Sequence, residues 1–200
     1  MIKTVDLFTV PLFRTEYPKA EELNKTLTPI FKEIEKNDEA PFLYGISGYT
    51  SYGKGNVLKE IPECLDLYYW IRNIVLNIQE ETKLTSKIDI NDSWFSINRK
   101  YSSHEEHHHI PATWSGVYYV NAQEGDANIT FVNENLSSNW PYTRVSEFND
   151  YNTREKTFPV ETGCLYVFPG HLKHKVETQI KDNERMSIAF NASHFSGELR

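Results

Sequence analysis

Cysteine is scarce in this sequence, which has only Cys64 and Cys164 among 200 residues. The two lie far apart and match no spacing of a zinc or thiol redox site, so we expect buried thiols in a reducing compartment. Long apolar runs are also missing: none approaches the roughly 18 residues that would suggest a membrane span. The first residues, MIKTVDLFTVPLF, lack the apolar stretch of a secretion signal. These absences predict a cytoplasmic protein that does not insert into membranes.

Concentrated positive charge is absent as well. The formal net charge is −7, and no block of lysine and arginine is long enough to form a basic stripe. This disfavours nucleic acid as a partner. What the chain does have is aromatic residues, at 14%, which suit a β-rich packed domain. Its length fits one domain with a sizeable core, and we expect residues 1–200 to form that single domain.

The first part of the chain, residues 1–87, is predicted to be a scaffold of one strand and helices. The segment VDLFTVPLF is typical of a strand that ends in a turn at its proline. Residues 18–38 place apolar side chains at helical spacing, and Pro29 within them predicts a kink or two short helices. Residues 61–84 repeat the helical spacing after a proline suited to a helix start.

The second part, residues 88–195, changes to the period of β-strands. Turn residues separate six apolar or alternating segments, which favours a sandwich or barrel. The segments are IDINDSWFSINRKY, TWSGVYYVNA, NITFVNE, TFPVETGCLYVFP, KHKVETQI and RMSIAFNASHF. Helices followed by a β-rich body predict an α+β protein.

All seven histidines lie in this second part, and SSHEEHHHIP, residues 102–111, contains four of them. If this run is extended, His107 and His109 share one face and can reach one metal ion. A third ligand must then come from elsewhere, and His171 and His174 are the candidates. The run by itself is equally typical of a solvated polar loop.

Arg185, a basic residue on a predicted strand, favours a metal site over a solvated loop as the interpretation of the histidine run. In RMSIAFN, alternation places Arg185, Ser187 and Asn191 on one face. An arginine on an inward polar face, beside a serine, can bind a carboxylate with its two-pronged guanidinium. We expect Asn191, further along this face, to lie near a substrate.

These segments also resemble a known family. HHHIPATWSGVYYVN, FPVETGCLYVFPGHLKHKV and ERMSIAFN are similar to motifs of a family of 2-oxoglutarate- and Fe(II)-dependent oxygenases found in bacteria and marine phages. The similarity runs from about residue 94 to residue 191. It implies a double-stranded β-helix (jelly-roll) with the N-terminal helices packed on one sheet. It also implies Fe(II) and 2-oxoglutarate as cofactors, with ascorbate as reductant.

The metal ligands implied by the resemblance are His107, His109 and His174. His107 and His109 match the family's H-x-H, His174 matches its distal ligand, and His171 falls outside the ligand set. The proline of HHHIP stands one place later than in the usual motif. An alternative register therefore stays open, in which His104 and Glu106 supply the H-x-E found in most of the superfamily.

The resemblance also implies how 2-oxoglutarate binds. Arg185 matches the arginine that holds the far carboxylate of this cosubstrate, with Ser187 beside it. Tyr119 resembles a tyrosine that supports the same carboxylate in some prolyl hydroxylases. The expected reaction is hydroxylation of an unidentified peptide, amino acid or small molecule. Two alternatives remain: a three-histidine dioxygenase of the cupin type that needs no 2-oxoglutarate, and a non-catalytic metal-binding jelly-roll.

Overall fold

A computed structural model describes most of the chain. The described residues are 2–3, 5, 9–39, 47–134 and 144–194. The helices are α1 (Ala20–Asn37), α2 (Val57–Glu60) and α3 (Leu65–Thr82). The strands are β1 (Phe13–Glu16), β2 (Tyr49–Thr50), β3 (Ile88–Asn98), β4 (His104–His107), β5 (Trp114–Asn121), β6 (Ile129–Val132), β7 (Glu155–Phe158), β8 (Cys164–Pro169), β9 (His174–Val176) and β10 (Arg185–His194).

The strands form two antiparallel sheets. The larger has the order β1-β8-β5-β10-β3-β2, and the smaller has the order β4-β9-β6-β7. Apolar side chains from both, including Val117 and Tyr166 of the larger sheet and Phe131 of the smaller, join in one buried cluster between them. The predicted double-stranded β-helix is therefore confirmed, and its inner faces enclose the space where a site can form.

The helices cover the outer face of the larger sheet, as predicted. Leu27 and Phe31 of α1 are fully buried there, because they recur on the side of the helix that faces the sheet. The ring of Phe31 stacks on that of Phe95 with centroids 4.1 Å apart. Burying these side chains fixes the helical layer and holds β3 and β10 in place from outside.

Three details differ from the sequence predictions. The helix α1 runs unbroken through Pro29, because packing of Leu27 and Phe31 on the sheet outweighs the loss of one backbone hydrogen bond. The first described strand, β1, follows Pro11 rather than preceding it, and residues 6–8 lie outside the described residues. The segment TFPVETGCLYVFP forms two strands, β7 and β8, because Gly163 turns between them with φ of 84°.

Gly116 on β5 allows a close approach that a larger residue would prevent. A Cβ atom there would lie 2.5 Å from the Phe190 ring and 2.7 Å from the Tyr166 carbonyl oxygen. We expect Gly116→Ala to lower the free energy of unfolding by about 1–3 kcal/mol, the usual cost of overpacking a core. Urea denaturation measures this. An unchanged midpoint would mean that Phe190 moves aside without cost.

Both cysteines are buried and free, as expected. Burial raises the pKa of the Cys64 thiol to about 12, so this thiol stays protonated and unreactive at neutral pH. A membrane-crossing helix, which would have to be both long and apolar, does not occur among the described residues.

Candidate metal centre

Three imidazoles meet inside the double-stranded β-helix. His107 ends β4, His109 follows in the next loop and His174 begins β9. One ring nitrogen from each of the three histidines lies within 4.8 Å of those of the other two. Pairing of the strands explains the first contact, because His107 stands directly opposite His174 in the β4–β9 register.

His109 reaches the cluster by a different route from the one its spacing suggests. The strand ends at His107, so His107 and His109 do not share the face of one regular strand. A register shift between His104 and His107 shows that β4 is bulged. The His109 amide donates a hydrogen bond of 2.8 Å to the carbonyl oxygen of Gly170, which holds the loop against the turn that precedes β9.

Two of the three rings are oriented by backbone carbonyls. Nδ1 of His107 lies 2.7 Å from the carbonyl oxygen of Glu105, and Nδ1 of His174 lies 2.9 Å from that of Leu172. A carbonyl oxygen can only accept, so Nδ1 carries the proton in both rings and Nε2 keeps its lone pair. Such partners are typical of histidines that bind metals through their other nitrogen.

The surroundings keep the cluster uncharged. The His174 ring packs 4.7 Å from the Phe168 ring, and the His109 ring lies 5.7 Å from the Trp94 ring. Burial, followed by the neighbouring imidazoles, lowers the pKa of His174 to about 3 and that of His109 to about 4. The pKa of His107 is also lowered, mainly by burial. The rings are therefore neutral at pH 7, which is the form that binds a metal ion.

The other histidines lie outside this group of three candidate ligands. His104 stacks on the His107 ring at 3.9 Å without joining the group of mutually close nitrogens. His108 and His171 are exposed, and the Nδ1 of the exposed His194 contacts the carbonyl oxygen of Lys87 at 3.2 Å. Within the described ranges, no other set of three metal-binding side chains comes together.

Glu106, the carboxylate of the alternative register, is exposed and lies 3.6 Å from the Lys173 ammonium. We expect Glu106→Gln to change Fe(II) affinity by less than about 3-fold, since an exposed pair contributes little. Anaerobic calorimetry measures the affinity. A loss as large as that of His109→Ala would instead favour the ligand pair His104 and Glu106.

A buried arginine lies on the inner face of the larger sheet. Arg185 is 2% exposed, and its Nη1 donates to the Oδ1 of Asn98 at 2.7 Å. Its carbon Cζ lies 5.3 Å from the centre of the Tyr119 ring. The Arg185 Nε and the Tyr119 hydroxyl are both buried, and neither has a hydrogen-bond partner in the described protein. Ser187, 6% exposed, pairs with Tyr119 in the β10–β5 register.

Unpaired buried donors of this kind are rare, and they call for an explanation. A guanidinium and a phenol that meet at one place match the acceptors of a carboxylate. Burial raises the pKa of Tyr119 to about 12 against the opposing effect of Arg185, so the phenol remains a donor at neutral pH. The residues present therefore fit a carboxylate-bearing cofactor.

Asn98 was missed by sequence reasoning, although the alternation along β3 places it on the same face as Trp94. The predicted substrate residue, Asn191, lies at the other end of β10 from Arg185, and its Oδ1 accepts a hydrogen bond of 2.8 Å from Ser115 Oγ.

Three convergent imidazoles and a buried arginine inside a jelly-roll are the arrangement expected of a metal-binding double-stranded β-helix protein. Residues 92–191, half of the chain, match the model of a family described as "Putative 2OG-Fe(II) oxygenase". The chain belongs to this 2OG-Fe(II) oxygenase family. No curated protein sequence matches it significantly.

Solved structures of similar fold include several oxygenases. A Pseudomonas putida prolyl-4-hydroxylase is 14% identical, with a TM-score of 0.63 and 94% of each chain covered. HygX from Streptomyces hygroscopicus, crystallised with nickel and 2-oxoglutarate, is 11% identical, with a TM-score of 0.66 over 94% of this chain and 84% of its own. The non-heme alpha ketoglutarate dependent carbocyclase SnoK from nogalamycin biosynthesis is 12% identical, with a TM-score of 0.65 over 95% and 84%. At these identities the likeness concerns the fold.

Proposed function

We propose that this protein is an Fe(II)- and 2-oxoglutarate-dependent oxygenase that hydroxylates a peptide, amino acid or small molecule. The observation that carries the proposal is the combination of three neutral, convergent imidazoles with a buried arginine on the adjoining inner face, whose Nε has no hydrogen-bond partner among the described residues. Membership of the 2OG-Fe(II) oxygenase family supports the same conclusion. We further propose that residues 1–200 form one domain, with residues 1–87 as scaffold and 88–195 as the catalytic core.

In this proposal His107, His109 and His174 hold the iron. The Nδ1 hydrogen bonds of His107 and His174 fix the ring orientation and leave Nε2 for the metal. The rings of Phe131 and Phe168 beside His174 exclude water from one side. Three imidazoles supply no negative charge, so an anionic cosubstrate would balance the charge of the ion.

Arg185, Tyr119 and Ser187 would bind the 5-carboxylate of 2-oxoglutarate. Asn98 accepts from one Nη of Arg185 and so orients the guanidinium, which leaves Nε as a donor. The Tyr119 hydroxyl would donate to the same carboxylate. When bound, iron and 2-oxoglutarate would supply the chemistry that activates dioxygen and oxidises a C–H bond, with 2-oxoglutarate converted to succinate and CO₂.

Arg185 also favours this proposal over the two alternative functions. A buried guanidinium is costly unless an anion or hydrogen-bond acceptors satisfy it. A three-histidine dioxygenase without 2-oxoglutarate, or a structural metal site, gives no role to the Nε of Arg185 and the hydroxyl of Tyr119, which have no hydrogen-bond partner among the described residues.

Uncoupled turnover tests the proposal. We expect the wild-type protein to form succinate from 2-oxoglutarate slowly when Fe(II), ascorbate and oxygen are present and no other substrate is added. Omitting Fe(II), or replacing it with Zn(II), should stop succinate formation while calorimetry still detects 2-oxoglutarate binding to the Zn(II) protein. If iron-loaded protein neither forms succinate nor binds 2-oxoglutarate, the proposal is wrong.

A further inference from the structure

A row of polar side chains crosses the inner face of the larger sheet at the end away from Arg185. Asn191 of β10 stands opposite Asp92 of β3 on one side and Ser115 of β5 on the other. Directly paired residues in antiparallel strands point to the same side. All three side chains therefore face inward, six residues along β10 from Arg185.

The row adjoins the candidate metal centre. Trp94 follows Asp92 by two residues on the same face of β3, a distance of about 7 Å along a strand. Its ring is the one that lies 5.7 Å from the ring of His109. A molecule that contacts Asp92 and extends past Trp94 would therefore bring its far end toward the three histidines.

The Asp92 carboxylate has no cationic partner in the part of the chain that the structure describes. It is half-buried, and among the described residues no lysine, arginine or histidine forms an ion pair with it. Other carboxylates of this protein do have such partners, as Asp89 has in Lys59 at 2.9 Å. Burial raises the pKa of Asp92, against a hydrogen bond from the backbone of Ser93. A positive charge beside it would favour the ionised form.

The neighbours of Asp92 add polar and aromatic groups that a cationic ligand could contact. Ser115 donates to Oδ1 of Asn191, and the Nδ2 group of Asn191 has no partner in the described part of the chain. Trp94, the next residue on this face, is 6% exposed, and its ring contacts those of Tyr52 and His109 at 4.9 and 5.7 Å. The face of such a ring attracts cations. Asp92, Asn191 and Trp94 together therefore present a negative charge, a free donor and an aromatic ring on one side of the candidate centre.

We propose that Asp92, with Asn191 and Trp94, binds an ammonium group, so that the substrate of this protein is an amine. The proposal rests on the proposed oxygenase function only for the statement that the bound amine is a substrate. The amine would be held at Asp92, and the carbon chain would run past Trp94 toward the metal. The oxidised carbon would then lie several bonds away from the nitrogen.

Nuclear magnetic resonance of the full chain, loaded with Zn(II) and 2-oxoglutarate, tests this inference without turnover. The probe is n-pentylammonium, and pentan-1-ol and pentanoate are its neutral and anionic counterparts. The readout is the indole N–H signal of Trp94, identified among the four tryptophans by its loss in Trp94→Phe. We expect n-pentylammonium to shift this signal saturably, and the two counterparts to bind at least about 10-fold more weakly, as expected when one charge-assisted hydrogen bond is lost.

Asp92→Asn should weaken n-pentylammonium binding by at least about 10-fold for the same reason. The matched control is Asp66→Asn, which makes the same change on the exposed side of α3 and should bind like wild type. The inference is overturned if n-pentylammonium produces no saturable shift, if pentan-1-ol binds as well, or if Asp92→Asn binds unchanged. Should that variant fail to fold, the three probes on wild type decide alone.

Calorimetry of 2-oxoglutarate on the Zn(II)-loaded protein, before 2-oxoglutarate is added for the amine titration, keeps the two proposals distinct. Intact 2-oxoglutarate binding with no amine response contradicts only the amine site. If the wild-type protein does not bind 2-oxoglutarate, the oxygenase proposal is contradicted, whatever the amine titration shows.

Discussion

His174→Ala is expected to reduce Fe(II) affinity by more than about 100-fold, because even residues that only orient metal ligands contribute 10- to 100-fold. His174 is buried at the centre of the cluster, its ring lies 4.3 Å from that of His107, and its Nδ1 is already hydrogen-bonded to the carbonyl oxygen of Leu172. Removing it takes away the only candidate ligand that β9 provides. Anaerobic titration calorimetry with Fe(II) measures the loss.

The chain offers two matched controls for this variant. His171 lies three residues before His174, in the turn that precedes β9, and is exposed. His194 lies at the end of β10. Alanine at either position should leave Fe(II) affinity unchanged. Circular dichroism on each variant separates lost binding from lost folding. Retained affinity in folded His174→Ala, or an equal loss in His171→Ala, would refute the ligand assignment.

Arg185→Lys is expected to weaken 2-oxoglutarate binding by about 1.5–3 kcal/mol, the contribution of a charged hydrogen bond, while Fe(II) binding is preserved. Lysine keeps the positive charge but loses the planar fork, including the Nε–H that has no partner within the described protein. The measurement is calorimetry of 2-oxoglutarate on Zn(II)-loaded protein. Arg72→Lys on α3, where the arginine side chain is 43% exposed, is the matched control and should bind like wild type.

Tyr119→Phe provides an independent check on the same pocket. The buried Tyr119 hydroxyl has no hydrogen-bond partner among the described residues. Its removal should therefore not lower the free energy of unfolding, since none of the described hydrogen bonds is lost. If the hydroxyl serves 2-oxoglutarate, the affinity should still fall by about 1 kcal/mol. A variant that is destabilised but binds 2-oxoglutarate normally would make Tyr119 a structural residue and contradict its proposed role.

Much of the architecture could be predicted from the sequence, because the hydrophobic period changes near Ile88. Helical spacing before that point and alternation after it predicted helices on a β-rich body, and both sheets of the double-stranded β-helix are present. The alternation along β10 also separated its two faces correctly. Met186, Ile188 and Phe190 pack against the helical layer, whereas Arg185 faces Tyr119.

Breaks within elements were harder to predict, because tertiary packing decides them. A proline predicts a kink when only local geometry is considered. In α1 the burial of Leu27 and Phe31 on the sheet keeps the helix continuous around Pro29. The same limitation applies to β1, whose position after Pro11 is set by its pairing with β8.

At the candidate site, the sequence by itself determined the residue types and the inward face of β10. Its spacing also left two candidates, His171 and His174, for the third metal ligand. Only the tertiary structure decided which imidazoles meet. His107 faces His174 because β4 pairs with β9, and His109 joins them from a loop anchored at Gly170. Partners such as Asn98 and the carbonyl of Leu172 also come from the fold. Local spacing determines to which face of its own strand a side chain points. Whether side chains from distant strands converge depends on the register between the strands, and this register is set by the packing of the whole sheet.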